Sequence, residues 1–184
     1  MYPMKDSKQS IIDFWFEETK PQQWFQINPE FDETIREKFA ATYDLAAEGG
    51  LTDWKIDAPG CLALCLLLDQ FPRNLFRGQA RAFKTDKDGL LISKHAIHRG
   101  FDQILVPMKR RFLYLPFMHS ENLTDQKRSV ELFATMQVED PMGYEHALRH
   151  YREIENFGRF PYRNKALGRD NTPDEDEYLK TLAA

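Results

Sequence analysis

Cysteine is scarce in this chain, with two in 184 residues, and that scarcity excludes a disulfide framework. Cys61 and Cys65 lie four apart in an apolar stretch that reads as helix, which puts both thiols on one buried face, and no further cysteine completes a zinc pattern. Long hydrophobic runs are missing too. The longest, Cys61 to Leu68, falls far short of the roughly 20 residues a membrane span needs, so it reads as a core helix and no membrane partner is expected. Basic charge is not in excess: 25 Lys and Arg against 29 Asp and Glu give a formal net charge of -4, which excludes a broad nucleic-acid surface. Met1 to Gln9 contains Lys, Asp, Ser and Gln but no apolar core of a secretory leader, so the cytoplasm is the expected compartment. Glycine-rich phosphate loops, a nucleophile elbow and an EF-hand loop are all absent, and neither a cofactor nor a metal is expected.

Aromatics are plentiful: 14 Phe, 7 Tyr and 3 Trp make up 13% of the chain, and with 42% hydrophobic residues they supply a core large enough for one compact domain over residues 1–184. Trp15, Trp24 and Trp54 are read as core residues rather than as a stacking surface. Helix signals recur along the whole length. Ile11 to Phe16 forms a short helix ending before Pro21. Asn28-Pro29 caps a longer one, with Phe31, Ile35, Phe39 and Tyr43 at every fourth position. Asp57-Pro59 opens a third helix, which Pro72 is expected to end, leaving a loop. Thr85 to His98 is expected to be helical up to Gly100, with His95 and His98 structural or solvated. Met108 to Leu115 is closed by Pro116, and Asn122 with Asp125 offers a capping box. Pro141 and Gly143 punctuate before a stripe of Tyr144, Ala147, Leu148, Tyr151 and Ile154. Thr172-Pro173 then opens a last helix, whose first turn accounts for the acidic run Asp174 to Glu177 without any partner. No segment alternates as a half-buried strand does, so the expected fold is all-α, with seven or eight antiparallel helices.

One short signature occurs twice: Gln70-Phe71-Pro72-Arg73-Asn74 and Arg159-Phe160-Pro161-Tyr162-Arg163-Asn164. Arg77-Gly78 follows the first copy and Gly168-Arg169 the second. Proline followed by Arg-Asn places a fork of donors beside an amide on an ordered turn, and such a turn can bind an anion. Equally, each Arg can pair with a carboxylate such as Asp69 or Glu155 and tie helices together. Between the copies an apolar run ends in His119-Ser120-Glu121. A histidine ordinarily supplies a group that titrates near neutrality, which makes His119 a candidate for proton transfer, and Glu121 can orient it or act as a base, although Ser120 and Glu121 also suit a helix start. His150 falls at the edge of the buried face of its helix and can face a pocket, with His146 further toward water. The two are spaced for zinc, but no Glu or Cys completes a ligand set.

Asp13-Phe14-Trp15-Phe16, Leu68 to Asn74, Tyr114 to Glu121 and Phe157 to Asn164, in that order, resemble the domain-of-unknown-function 924 family over nearly the whole chain. The resemblance implies a tetratricopeptide-like helical fold and no known activity. It carries the family's polar positions onto Asp69, Arg73, Asn74, Arg77, His119, Ser120, Glu121, His150, Arg159, Arg163 and Asn164. Tyr162 stands where family members often have His, and Asn156 where a basic residue is common, so those two roles do not carry over.

Two functions follow as expectations. One is a small-molecule binder or enzyme whose anionic ligand, carrying phosphate or carboxylate, is held by Asp69, Arg73, Asn74, Arg77, Ser120, Arg159, Arg163 and Asn164 beside catalytic His119, Glu121 and His150. The other is a tetratricopeptide-like interaction scaffold without catalysis. Oligomeric state is not encoded in any motif.

Overall fold

The computed structural model describes residues 7–183, and among them there is no strand. The opening segment read above for a leader falls largely outside the described residues. In chain order the helices are α1 (Lys8–Asp13), α2 (Pro29–Ala47), α3 (Ala58–Cys65), α4 (Phe71–Leu75), α5 (Asp86–His98), α6 (Pro107–Met118), α7 (Leu123–Ala134), α8 (Pro141–Phe157), α9 (Asn164–Leu167) and α10 (Pro173–Ala183). A π turn, Leu66–Gln70, joins α3 to α4 as one rod. Counted that way, nine helices are present among the described residues, and α9 is a single turn.

Side-chain caps set most of the helix starts. Asn28 Oδ1 accepts from Glu30 N and Phe31 N at 3.0 and 3.1 Å, Asp57 Oδ1 from Gly60 N at 2.8 Å, and Asp140 Oδ1 from Gly143 N at 2.9 Å. Thr172 and Glu175 bond each other's backbone N–H in a full capping box. The box expected at Asn122 is only half built. Asn122 caps α7, but the Asp125 carboxylate turns instead to Ser120 Oγ at 2.8 Å and Lys94 Nζ at 2.7 Å, two stronger donors within reach.

Three expectations about proline are corrected. Pro72 does not end the third helix: residues 66–70 widen into a π turn, in which Phe71 N bonds Leu66 O, and this absorbs the missing donor and the ring's clash. Pro116 lies inside α6, which runs on to Met118. Pro141 does not precede α8 but occupies its first turn, where a missing N–H has no intrahelical partner to lose.

The α3–α4 rod is the axis of the molecule, with every residue from Cys61 to Pro72 buried. α3 packs against α1, α5 and α6, and α4 against α2, while α6, α7 and α8 pack in succession. Their connections are short, so each helix folds back on its predecessor. One hydrophobic cluster extends from Ile11 to Ala147. In it Trp15 stacks on Trp24 at 5.8 Å and meets Phe71 and Phe112 edge-on or tilted, while Trp54 packs against the cluster half-buried. Cys61 and Cys65 are buried and unpaired, and burial pushes the Cys61 thiol up to about 11. Among the described residues no helix is long and apolar enough to cross a membrane.

Candidate functional site

The π turn that accommodates Pro72 also aims Asp69 into the centre of the protein, where its side chain is 1% exposed. The end of α6 presents His119 to it. Both Asp69 oxygens lie within 2.9 Å of His119 Nδ1, and the Gln70 amide donates to Oδ2. A carboxylate cannot donate, so Nδ1 carries the proton and the Nε2 lone pair is bare. No described residue bonds Nε2.

The turn that carries His119 is clamped by side chains. The buried Gln126 amide donates to the carbonyls of Phe117, Met118 and Ser120 at 3.4, 2.7 and 2.7 Å. Arg163 Nη2 donates to the carbonyl of His119 at 3.0 Å, and His150 Nδ1 to that of Met118 at 3.3 Å. The orphan carbonyls at the end of α6 are thereby satisfied, and the imidazole sits on a fixed mount.

Two arginines bracket this pair through Asp86, the first residue of α5. Arg73 donates to Asp86 Oδ1 at 3.0 Å and Oδ2 at 3.2 Å, and Arg163 to the same Oδ2 at 3.1 Å. Arg73 also reaches the Asp69 carbonyl and lies 3.4 Å from the Asp69 carboxylate. Arg163, 4% exposed, lies over the rings of Phe83 and Phe160, each at 4.6 Å. Two guanidiniums thus face two carboxylates, and their charges balance. Burial pushes the Asp69 carboxyl up, but the charge of Arg73 and the hydrogen bonds from His119 and Gln70 outweigh it and hold the group ionised. Burial and Arg73 lower the pKa of His119 despite Asp69, so the imidazole is neutral. Burial takes His150 down to about 3. Its ring is 6.4 Å from that of His119 and 5.2 Å from that of Phe160.

His119 lines two clefts. The first, of about 180 Å³, is bounded by Trp24, Phe25, Gln70, Arg73 and Arg77, and no carboxylate lines it among the described residues. The second, of about 210 Å³, is bounded by Phe83, Asp86, Leu90, Arg163 and Leu167.

Asp69, Arg73, His119 and Arg163 therefore come together, with His150 alongside. The other residues singled out in the sequence are distributed differently. Arg77 and Asn74 both bond Asp32, at 2.7 and 2.8 Å, and both also line the first cleft. Glu121 is held by both Nη atoms of Arg169, at 2.8 and 2.9 Å, and by Phe160 N. Arg159 forms a bidentate pair with Glu175, and Asn164 joins Glu175, Asn171 and Arg169, away from His119. Gly158 makes this divergence possible: it ends α8 with φ +68°, and only the next residues turn back toward the centre. Tyr162 lines neither cleft, and its hydroxyl accepts from Arg163 Nε at 3.3 Å. Asp32, Phe83, Asp86 and Gln126 were not singled out, because each occupies an ordinary helical or turn position. Arg169 was visible only as a basic residue after Gly168. Among the described residues no group of three His, Cys, Asp or Glu is placed to hold a metal.

The fold and this centre define an all-helical protein built round a buried Asp–His pair bracketed by arginines. A profile described as a bacterial protein of unknown function (DUF924) matches residues 11–182, and the chain belongs to that family. A solved structure of a protein of unknown function from Agrobacterium tumefaciens is similar over 95% of this chain and 97% of its own, with 40% identity and a TM-score of 0.89. No curated protein matches.

Proposed function

We propose that this protein is an enzyme acting on a small anionic molecule, with His119 as the group that accepts a proton. The observation that carries this reading is the shared lining of the first cleft: His119, fixed and kept neutral, stands beside Arg73 and Arg77 in a cleft without a carboxylate. Donors are available there. Arg73 bonds through both N–H groups of Nη1 and one of Nη2, which leaves its Nε–H and one Nη2–H, and Arg77 bonds Asp32 through Nε and Nη2, which leaves Nη1. A neutral imidazole whose other nitrogen is anchored on a carboxylate is poised as a base at neutral pH. Asp69 orients it, and His150 is a neutral neighbour. The partners of Glu121, Ser120, Arg159 and Asn164 give those residues a structural part in this scheme. Cleft volumes near 200 Å³ lie below those of pockets for drug-sized ligands, which favours a small metabolite over the groove a peptide scaffold would present. The continuous core supports a single domain, and the cytoplasm is the proposed compartment.

The test begins with binding. Phosphate, sulfate or citrate at millimolar concentration should raise the melting temperature by mass action, and Arg77→Gln should reduce the shift. Absence of any shift in the wild type ends the anion reading. In a metabolite screen His119→Gln should retain binding and lose turnover by about 100-fold or more, the usual scale of a lost general base. Equal turnover in both proteins would remove His119 from the chemistry.

A further inference from the structure

The second cleft gives the ligand a further property. Resting on the reading above, we infer that the ligand is a small dianion with an anionic group at each end: one in the Arg73–Arg77 cleft, the other in the cleft beyond His119, and a proton-bearing group between them over His119 Nε2.

The second cleft has apolar walls in Phe83, Leu90 and Leu167, and its polar lining looks mixed, with Asp86 and Glu121 against Lys87 and Arg163. The carboxylates, however, are already engaged. Asp86 accepts from both Arg73 and Arg163, and Glu121 from Arg169 and Phe160 N. Ser120 Oγ donates to Asp125 and accepts from Asn122 N at 3.3 Å. What is left unused is donor capacity. Arg163 bonds Asp86 through one N–H of Nη1 and the His119 carbonyl through one of Nη2, so each nitrogen keeps a second N–H. Lys87, on the exposed side of α5, has no ion-pair partner among the described residues and lines the cleft. Asp86 and Glu121 each already accept three hydrogen bonds and are ion-paired, so a cation or a donor-bearing arm would find little acceptor capacity left, whereas a carboxylate or phosphonate on an apolar stem would find both charge and wall.

His119 is the common lining residue of the two clefts, and Arg73 and Arg163 meet on one Asp86 oxygen between them. The two sets of unused donors therefore flank a single imidazole. Nε2, a bare acceptor, meets whatever part of the ligand spans from one cleft to the other, and that part must offer it a proton: a hydroxyl, an activated C–H, or a water held there.

Titration calorimetry on the full chain tests this with two sets of probes. Succinate, glutarate and adipate are compared with butyrate, valerate and hexanoate, and phosphonoacetate and 3-phosphonopropionate with methylphosphonate. At least one dianion should bind ten-fold or more tighter than its single-ended counterpart, and Lys87→Gln, an exposed substitution that leaves the core untouched, should erase that advantage. Equal affinity of dianions and single-ended anions overturns the two-ended ligand while leaving the anion reading standing. A dianion advantage that survives Lys87→Gln and Arg163→Lys alike also overturns it, by removing the second cleft from the binding. If none of the probes binds, both readings fall together.

Discussion

Glu153 shows how one side chain can set a pH response. It lies on α8, one turn after His150, is 5% exposed, and has an Oε1 atom with no partner among the described residues. Burial pushes its carboxyl up to about 7, with the Glu121 charge adding to the rise and the Tyr178 hydroxyl opposing it. The native state therefore holds a proton that the unfolded chain releases near pH 4.5. The associated stability is complete below that pH and is lost as the pH rises through 7. Glu153→Gln keeps the shape and stays neutral, so its stability relative to wild type should increase from pH 5 to pH 8, by up to about 3 kcal/mol. Urea unfolding at the two pH values measures this, and a difference that does not change with pH would mean that Glu153 is already ionised and paired. Asp69 responds in the opposite sense, since it is held ionised by the Arg73 charge and by hydrogen bonds from His119 and Gln70. Asp69→Asn leaves Arg73 with one carboxylate fewer in a buried setting and should cost on the order of 3 kcal/mol at pH 7, read from the same unfolding curves. The sequence offered Asp69, Arg73, His119 and Arg163 among eleven candidate positions and left open which of them meet. It did not supply Asp86, because an acidic residue in a first helical turn is ordinary and nothing local marks it as a bridge.

At the scale of elements, the helix ends decide where chemistry can sit. The prolines that looked like stops, Pro72 and Pro116, lie within helical rods. In the first the chain gives way by widening a turn, and that turn is what places Asp69 inward. Local propensity indicates where a donor is missing, but not whether packing on all sides will hold the rod together regardless. α7 contributes to the site without its Gln126 lining either cleft: that side chain bonds three carbonyls around His119. Gln126→Leu should destabilise the protein by at least about 2 kcal/mol, because those buried acceptors lose their donor. It should also broaden the His119 ring signals in NMR spectra as the mount loosens, and sharp, unshifted signals would show that the turn holds itself. Gly60, in α3, is a second pinning point. A Cβ there would run into the Trp54 carbonyl, a backbone atom that cannot rotate away, so Gly60→Ala should be among the more damaging small substitutions, detectable as a lower melting temperature.

The whole molecule is stabilised by one core and made pH-sensitive by partly buried neutral histidines. His150 is brought down to about 3 by burial, and His119 is lowered as well, while both would titrate near 6.5 in the unfolded chain. Unfolding therefore takes up protons on the acid side. The stability these two histidines contribute is full above about pH 6.5 and is lost as the pH falls toward 3, on top of the usual losses from protonated carboxylates. His150→Phe should flatten this acid limb between pH 6.5 and 4 in a thermal melt series. A limb of unchanged slope would mean that His150 is reached by solvent and charges in place.

What the sequence by itself determined is the all-helical fold, the caps at Asn28, Asp57 and Thr172, and the buried faces of the long helices. Those follow from periodicities of three and four residues and from capping chemistry within one turn. The resemblance to the family also carried residues far apart in the chain into one set of site positions. Only the tertiary structure decided which of them converge. The two Arg-Asn turns look alike in sequence, yet Arg163 reaches Asp86 and His119 while Arg159 and Asn164, in the same turn, are drawn to Glu175 on α10. A guanidinium follows whichever carboxylate packing brings within about 3 Å, and the positions of Asp86 and Glu175 are fixed by how α5 and α10 dock, which no local pattern records.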